Sequence, residues 1–387
     1  MKITAVEAIP YTIPYSQPLR FASGQVREAD HVLIRVHTDA GLIGTSDTPP
    51  RPYTYGETQG SIISVITTIF APQMIGLDPF DREKVRQVLG RTFHNATAKG
   101  SIDIALWDII GQAQQMPVTR LLGGYTDRLR VSHMLGFKEA GALVEEVAQM
   151  RANYGISSFK LKVGRRPTSL DMGAARALRE SFGEEIELYM DANRGWHAEE
   201  TGHVLAEAAE LGMQFLEEPN HAAEHVGRRW LTARSPIPIA ADESAPDLAA
   251  AAREIVTQGA DLLAIKTART GFTESSRIVG LAEGLGVEVY VGNQIDTQVG
   301  SAASVAFGAA FDLTSRRAAE LSNFLNMADD LMAEPLHISD GVIYTRDTPG
   351  VGHQIDESKL AHYRTDSTRR AVHPAVHPAP RTLEGSR

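Results

Sequence analysis

The sequence predicts an α/β protein in two unequal parts, a smaller α+β unit followed by a (β/α) barrel. Three observations carry that expectation. From about residue 129, short β-rich runs alternate with helix-period windows, the pattern of parallel βα units. Seven or eight such units follow at full spacing, and no G-x-G-x-x-G turn comes after the first run, which favours a barrel over an open doubly wound sheet. Ahead of them, residues 1 to about 125 place strands first and helices afterwards.

In order, "KITAVEAIPYTI" and "HVLIRVHT" read as strands, "DAG" as a turn and "LIGTSD" as the returning strand, together a β-meander. Helix-period stretches follow, "GSIISVITTIFAPQM", "DREKVRQVLGRTFH" and "SIDIALWDIIGQAQQ". In the last, Ile102, Ile104, Ala105, Trp107, Ile109 and Ile110 make a broad apolar face. The barrel runs are "LRVSHMLGF", "SSFKLKV", "IELYMDAN", "QFLEEP", "IPIAADES", "DLLAIKTA" and "VEVYVGNQ", with helical windows between them, several closed by Gly. The units are therefore expected at residues 1–125 and 126–324. Residues 364–387, aperiodic and rich in Pro and Arg, read as a disordered tail; their two "VHPA" copies are too little for a metal tract.

Composition narrows the function. Asp and Glu number 48 against 38 Lys and Arg, a formal charge of −10 that argues against a nucleic-acid partner. The chain has no Cys, which excludes disulfides, thiolate metal sites and cysteine nucleophiles. No signal-peptide core opens it and no window approaches a membrane span, so a cytoplasmic enzyme is the expected class.

Parallel strands covered on both faces are nearly all apolar, so charges at their ends call for a reason. Here the runs carry Lys160 and Lys162, then Asp191 with Asn193, then Glu217 with Glu218, then Asp242 with Glu243, then Lys266. From Lys162 to Lys266 the steps are 29, 26, 25 and 24 residues, one βα unit each. In a barrel such residues converge on one mouth, the face where these folds carry chemistry. Three carboxylates at one rim repel unless a cation neutralises them, and all-oxygen ligands suit Mg²⁺ or Mn²⁺. A lysine near a metal and a second lysine can have its pKa lowered toward neutrality, which suggests proton transfer at a carbon next to a carboxylate.

The motifs "KLK" at 160–162, "DAN" at 191–193, "EEP" at 217–219, "DES" at 242–244 and "IKTARTGF" at 265–272 resemble the enolase superfamily, in its muconate-lactonizing subgroup. The resemblance spans roughly residues 1–363. It implies an enolase-like fold, an α+β capping domain over a modified (β/α) TIM-like barrel, with residues 325–363 returning to the cap. It implies Asp191, Glu217 and Asp242 as ligands of Mg²⁺ or Mn²⁺ and Lys162 and Lys266 as the acid/base pair. Lys160 would lie against the substrate carboxylate or tune Lys162, Asn193 would border the substrate, and Glu218 and Glu243 would be structural. Many subgroup members end the seventh barrel strand in a pattern like "LES"; here "VGNQIDTQ" offers either Asp296 or Asn293 with Gln294.

"PLRFASGQVREADHVLIRVHTDAG", "RPYTYGETQ", "GGYTDRLRVSHMLGF", "VGNQIDTQVGSAAS" and "ELSNFLNMADDL" further resemble muconate cycloisomerases as a group. The implied reaction closes cis,cis-muconate, a small dicarboxylate, to muconolactone, a step of aromatic catabolism. Donors for the second carboxylate are then expected in cap loops, from Arg20, Phe21 and Ser23 or from Arg51, Tyr53 and Tyr55. Glu320, at the end of the eighth strand, would contact the substrate or Lys266. The resemblance also implies a homo-oligomer. Rival readings are an epimerase or racemase of dipeptides or N-acylamino acids, a Schiff-base aldolase, and a binding protein stabilised by metal.

Overall fold

The computed structural model describes residues 1–21 and 24–366. It opens with an antiparallel meander of β1 (Ile3–Phe21), β2 (Gly24–Thr38) and β3 (Ile43–Thr48), the last two joined by the expected turn. One face of this sheet is apolar by alternation. Val32, Ile34 and Val36 pack there on Ile102, Ala105 and Ile109 of the helix Ala96–Ala113. That helix also lies against the helix Thr267–Leu285 of the second unit. Gly100 permits the approach, since a Cβ there would stand 2.9 Å from the backbone of Arg269.

The second unit is the barrel. Strands β4 (Arg128–Leu135), β5 (Ser158–Lys162), β6 (Glu187–Asp191), β7 (Met213–Glu217), β8 (Ile239–Ala241), β9 (Leu262–Ile265) and β10 (Glu288–Val291) pair in parallel in chain order. β11 (Ala319–Glu320) pairs with β4 and packs on β10, which closes the ring. A helix follows each strand from β4 to β10, whereas β11 leads into a short 3₁₀ turn, Asn323–Asn326. Beyond it, β12 (Ile338–Ser339) and β13 (Val342–Tyr344) form a hairpin on β4, while Leu331, Met332 and Leu360 pack on Tyr11, Ile13 and Leu33 of the meander.

Strand alternation sorts the side chains. Leu188, Met190 and Leu216 join the core between strands and helices; Tyr189, Phe215, Leu262 and Tyr290 fill the barrel interior. The Tyr189 and Phe215 rings stack with centroids 4.4 Å apart, forming a floor on which the next inward residues stand. Among the described residues no helix is long and apolar enough to cross a membrane. The reading of 364–387 as a tail falls, from residue 367 on, outside the described residues.

Candidate active site

Directly above that floor, Lys162, Asp191 and Glu217 stand level, as neighbours in register on β5, β6 and β7. Glu217 is paired in register with Ala240, so Asp242 lies just past the end of β8, and Lys266 just past β9. Lys160 sits two residues below Lys162 on the same inward side, opposite Tyr189. Lys162 and Lys266 belong to strands four apart in a ring of eight and so face each other across the mouth. Gly292 makes room for the second lysine, because a Cβ there would meet Lys266 Cε at 2.9 Å.

All of these charges are buried, and they pair closely. Lys160 Nζ lies 2.9 Å from Asp191 Oδ2, 2.6 Å from Glu217 Oε2 and 2.7 Å from Glu320 Oε1. Lys162 Nζ donates to Asp191 Oδ2 at 2.5 Å and to Asn193 Oδ1 at 2.6 Å. Lys266 Nζ donates to Asp242 Oδ2 at 2.5 Å. Burial opposes ionisation of Asp191, but Lys160 and Lys162 outweigh it and hold the carboxyl well below the usual range. Asp242 is held low in the same way, burial being overcome by Lys266 and Arg269.

Glu217 differs. Burial, then the charge of Asp191, pushes its pKa well up, although Lys160 is near. Lys160 itself is driven up, burial being outweighed by Asp191, Glu217 and Glu320. Glu217 is the carboxyl that shifts up because a single ammonium shared among three carboxylates cannot keep all three ionised. Geometry agrees: both Glu217 oxygens are buried without a well-formed hydrogen bond, the 2.6 Å approach of Lys160 being poorly aligned.

That orphaned carboxylate fits an added cation, and Asp191, Glu217 and Asp242 offer the hard oxygen donors that Mg²⁺ or Mn²⁺ prefers. Among the described residues no three acidic side chains already surround a common point. The ammonium groups of Lys160, Lys162 and Lys266 lie instead against Asp191 Oδ2, Glu217 Oε2 and Asp242 Oδ2. Burial opposes the charge of Lys266, but the ion pair with Asp242 outweighs it and pushes its pKa up.

Glu218 turns the other way. Its backbone is left-handed, with φ 41°, and its carboxylate is buried against Arg228 at 2.5 Å. Its other oxygen accepts from the amide of Asp242 at 2.8 Å and the hydroxyl of Ser244 at 3.0 Å, so Glu218 holds the end of the next strand. Glu243 is raised to about 8 by burial and the charge of Asp242, and accepts from Asn193 Nδ2 at 3.2 Å.

A cavity opens over these groups. Lys160, Lys162, Lys266, Asn193, Glu320 and Arg51 line it. Three expected residues behave differently. Glu320 contacts Lys160 rather than Lys266, and accepts from Tyr189 and the amide of Asn293. Asp296 is off the cavity wall: its side chain accepts from Asn293 Nδ2 at 3.1 Å, and burial followed by the charge of Asp47 raises it to about 7. Tyr53 is 79% exposed. The amides of Thr54, Tyr55 and Gly56 all turn onto the carbonyl of Arg51, which carries Tyr53 outward and Tyr55 inward. Arg20 pairs with Gln25 along the β1–β2 ladder, but its side chain, like Ser23, lies outside the described residues.

Sequence reasoning passed over Arg269. It is buried, donating to Asp242 Oδ1 at 2.9 Å and to the hydroxyl of Tyr55 at 2.8 Å, and so links the cap loop to the rim. Its position one turn after Lys266 in "IKTARTGF" was the available signal.

Comparison with known proteins agrees with this architecture. Residues 3–123 match the mandelate racemase / muconate lactonizing enzyme N-terminal domain, and residues 142–359 match the enolase C-terminal domain-like family. The chain belongs to the enolase superfamily. A muconate lactonizing enzyme from Mucobacterium Smegmatis, solved in complex with muconolactone, is 54% identical with a TM-score of 0.93, over 95% of this chain and 100% of that one. An L-Ala-D/L-Glu epimerase from Bacillus subtilis is 30% identical over 80% of this chain and 85% of its own length. A chloromuconate cycloisomerase from Cupriavidus pinatubonensis is 28% identical over 92% and 97%. The relatives are isomerases, and this chain is an enzyme of that kind.

Proposed function

We propose that this protein is a muconate cycloisomerase, closing cis,cis-muconate to muconolactone. One observation carries the reading: five basic side chains, Arg51, Lys160, Lys162, Arg194 and Lys266, line the cavity against three acidic ones, Asp242, Glu243 and Glu320. With Asp191 and Glu217 beneath them these charges balance. A divalent cation on the three carboxylates would leave the positive surplus that suits a dianion, and two of the lysines face each other across the place where it would lie. The 54% identity to an enzyme solved with muconolactone supports the same substrate.

Asp191, Glu217 and Asp242 would hold Mg²⁺ or Mn²⁺, whose charge stabilises the negative charge that builds up on a substrate carboxylate in the transition state. The chain's own residues supply the rest. The second carboxylate of muconate attacks the distant double bond, forming a C–O bond while the electron pair moves toward the first carboxylate. Lys162 or Lys266 then donates its proton to the carbon beside that carboxylate, and the face it occupies makes the addition syn or anti. The lysine that does not donate keeps its charge beside the anion. Lys160 neutralises the floor of the site beneath them.

A second reading, epimerisation of dipeptides or N-acylamino acids, is favoured by the 30% identity to an epimerase. It needs both lysines, one removing the α-proton and the other returning it. The test is loss of muconate absorbance with Mg²⁺ or Mn²⁺ supplied and then chelated, with product NMR in heavy water. Metal-dependent loss giving muconolactone is expected. No loss of muconate, with α-proton exchange in L-Ala-L-Glu, would replace the first reading by the second.

A further inference from the structure

We propose that Gln294, together with Arg51, seats the second carboxylate of the substrate and selects dianions over molecules that carry an ammonium group at that end. The inference rests on the cycloisomerase reading and deepens it.

The loop after β10 isolates Gln294. Asn293 spends its side chain locally: its Oδ1 accepts from the amides of Ile295 at 2.5 Å and Asp296 at 3.1 Å, and its Nδ2 donates to Asp296. Ile295, at φ 64°, completes the turn. Gln294 is left against the cavity, 3% exposed, with both Nε2 and Oε1 buried and without a partner. Buried amides are rarely left so, which points to a polar ligand there. Asn323, also on the cavity wall, has its Oδ1 unpartnered and its Nδ2 on the carbonyl of Asp296.

Arg51 supplies the charge. It lines the same cavity, and among the described residues its side chain pairs with no carboxylate. A carboxylate needs donors on both oxygens; the Gln294 NH₂ and the Arg51 guanidinium provide them. The neutral amide matters as much as the arginine. A Glu or Asp at residue 294 would repel a second carboxylate, whereas an ammonium there would meet the like charge of Arg51.

The test is calorimetric titration of the Mg²⁺-loaded full chain with adipate, a six-carbon dicarboxylate, and with hexanoate, which has one carboxylate. Gln294→Leu and Arg51→Met are each expected to weaken adipate about 10- to 100-fold, the range for losing a hydrogen bond to a charged group, and to leave hexanoate within about twofold. Gln294→Glu is expected to weaken adipate further. Equal losses for both ligands, or wild-type adipate affinity in Gln294→Leu, would overturn the proposal. Arg51, on a half-buried loop, keeps the test available if residue 294 proves intolerant. Turnover of muconate by the unaltered protein is scored separately, so failure of the reaction and failure of the seat are distinguishable.

Discussion

The barrel rim and the loop around Arg51 border one cavity but are built on different principles. On the rim, buried charges stand at strand ends and several are held by more than one partner: Asp242 alone is held by Lys266, Arg269 and, through its amide, Glu218. The loop instead hangs three amides on one carbonyl, that of Arg51, and sends a single side chain, Tyr55, down to the rim. Over-determined positions suit proton transfer, where small displacements cost rate; a lightly tied loop suits recognition of a substrate's far end, where a residue can change without cost to the fold.

The largest expected effect is on the rim. Glu217→Gln should cut turnover by about 10³-fold or more and abolish Mn²⁺ binding followed by electron paramagnetic resonance, because it removes the one carboxylate whose charge is unmatched. Glu218→Gln should cost turnover much less, because its side chain faces Arg228 and not the cavity, although only one of its two accepting oxygens survives. Equal losses would mean that both glutamates serve the cation. Next, Arg228→Met should cost about 3–5 kcal/mol in urea unfolding, since it strands Glu218 as an uncompensated buried charge. A loss under 1 kcal/mol would show the rim to be less tightly held than its contacts imply.

The seam between cap and barrel should respond to pH. Asp296 has its folded pKa raised from 3.8 to about 7 by burial and Asp47. The folded state therefore holds a proton that the unfolded chain releases, so the contribution of Asp296 is fully present below pH 3.8 and lost as pH rises through about 7. Thermal unfolding of Asp296→Asn should lack that component of the decline. An unchanged pH profile would place the titration elsewhere, with Asp330, raised to about 6 by burial, as the next group to replace. The smallest effect belongs to the loop: Tyr53→Ala should leave kcat/KM within about twofold, because its ring is in solvent, while Tyr55→Phe should lower it several-fold by releasing Arg269. A larger loss at Tyr53 than at Tyr55 would reverse the orientation of the loop.

Much of the rim was legible because a repeating unit converts sequence interval into position. Steps of one βα unit put Lys162, Asp191 and Glu217 at one level, and strand alternation separated Glu217 from Glu218. Arg228 escaped notice since it lies on a helix, where nothing in the local pattern tells a buried arginine from the many exposed ones, and Arg269 had only its place one turn after Lys266 to mark it. The loops were harder still. Tyr53 and Tyr55 are two residues apart in a turn with no periodicity, and only the hydrogen bonds onto the Arg51 carbonyl decide which one faces in.

By itself, the sequence determined the barrel, its order of strands and the charged residues at their ends, because burial on both faces admits a charge only where something answers it. Tertiary structure alone decided how those charges are shared: Lys160 among three carboxylates, Glu320 on Lys160 rather than Lys266, Asp296 drawn to the seam and Gln294 left facing the cavity. Each of those outcomes depends on distances between residues remote in the chain, and electrostatic pairing is set by distance and burial, which no spacing along the sequence contains.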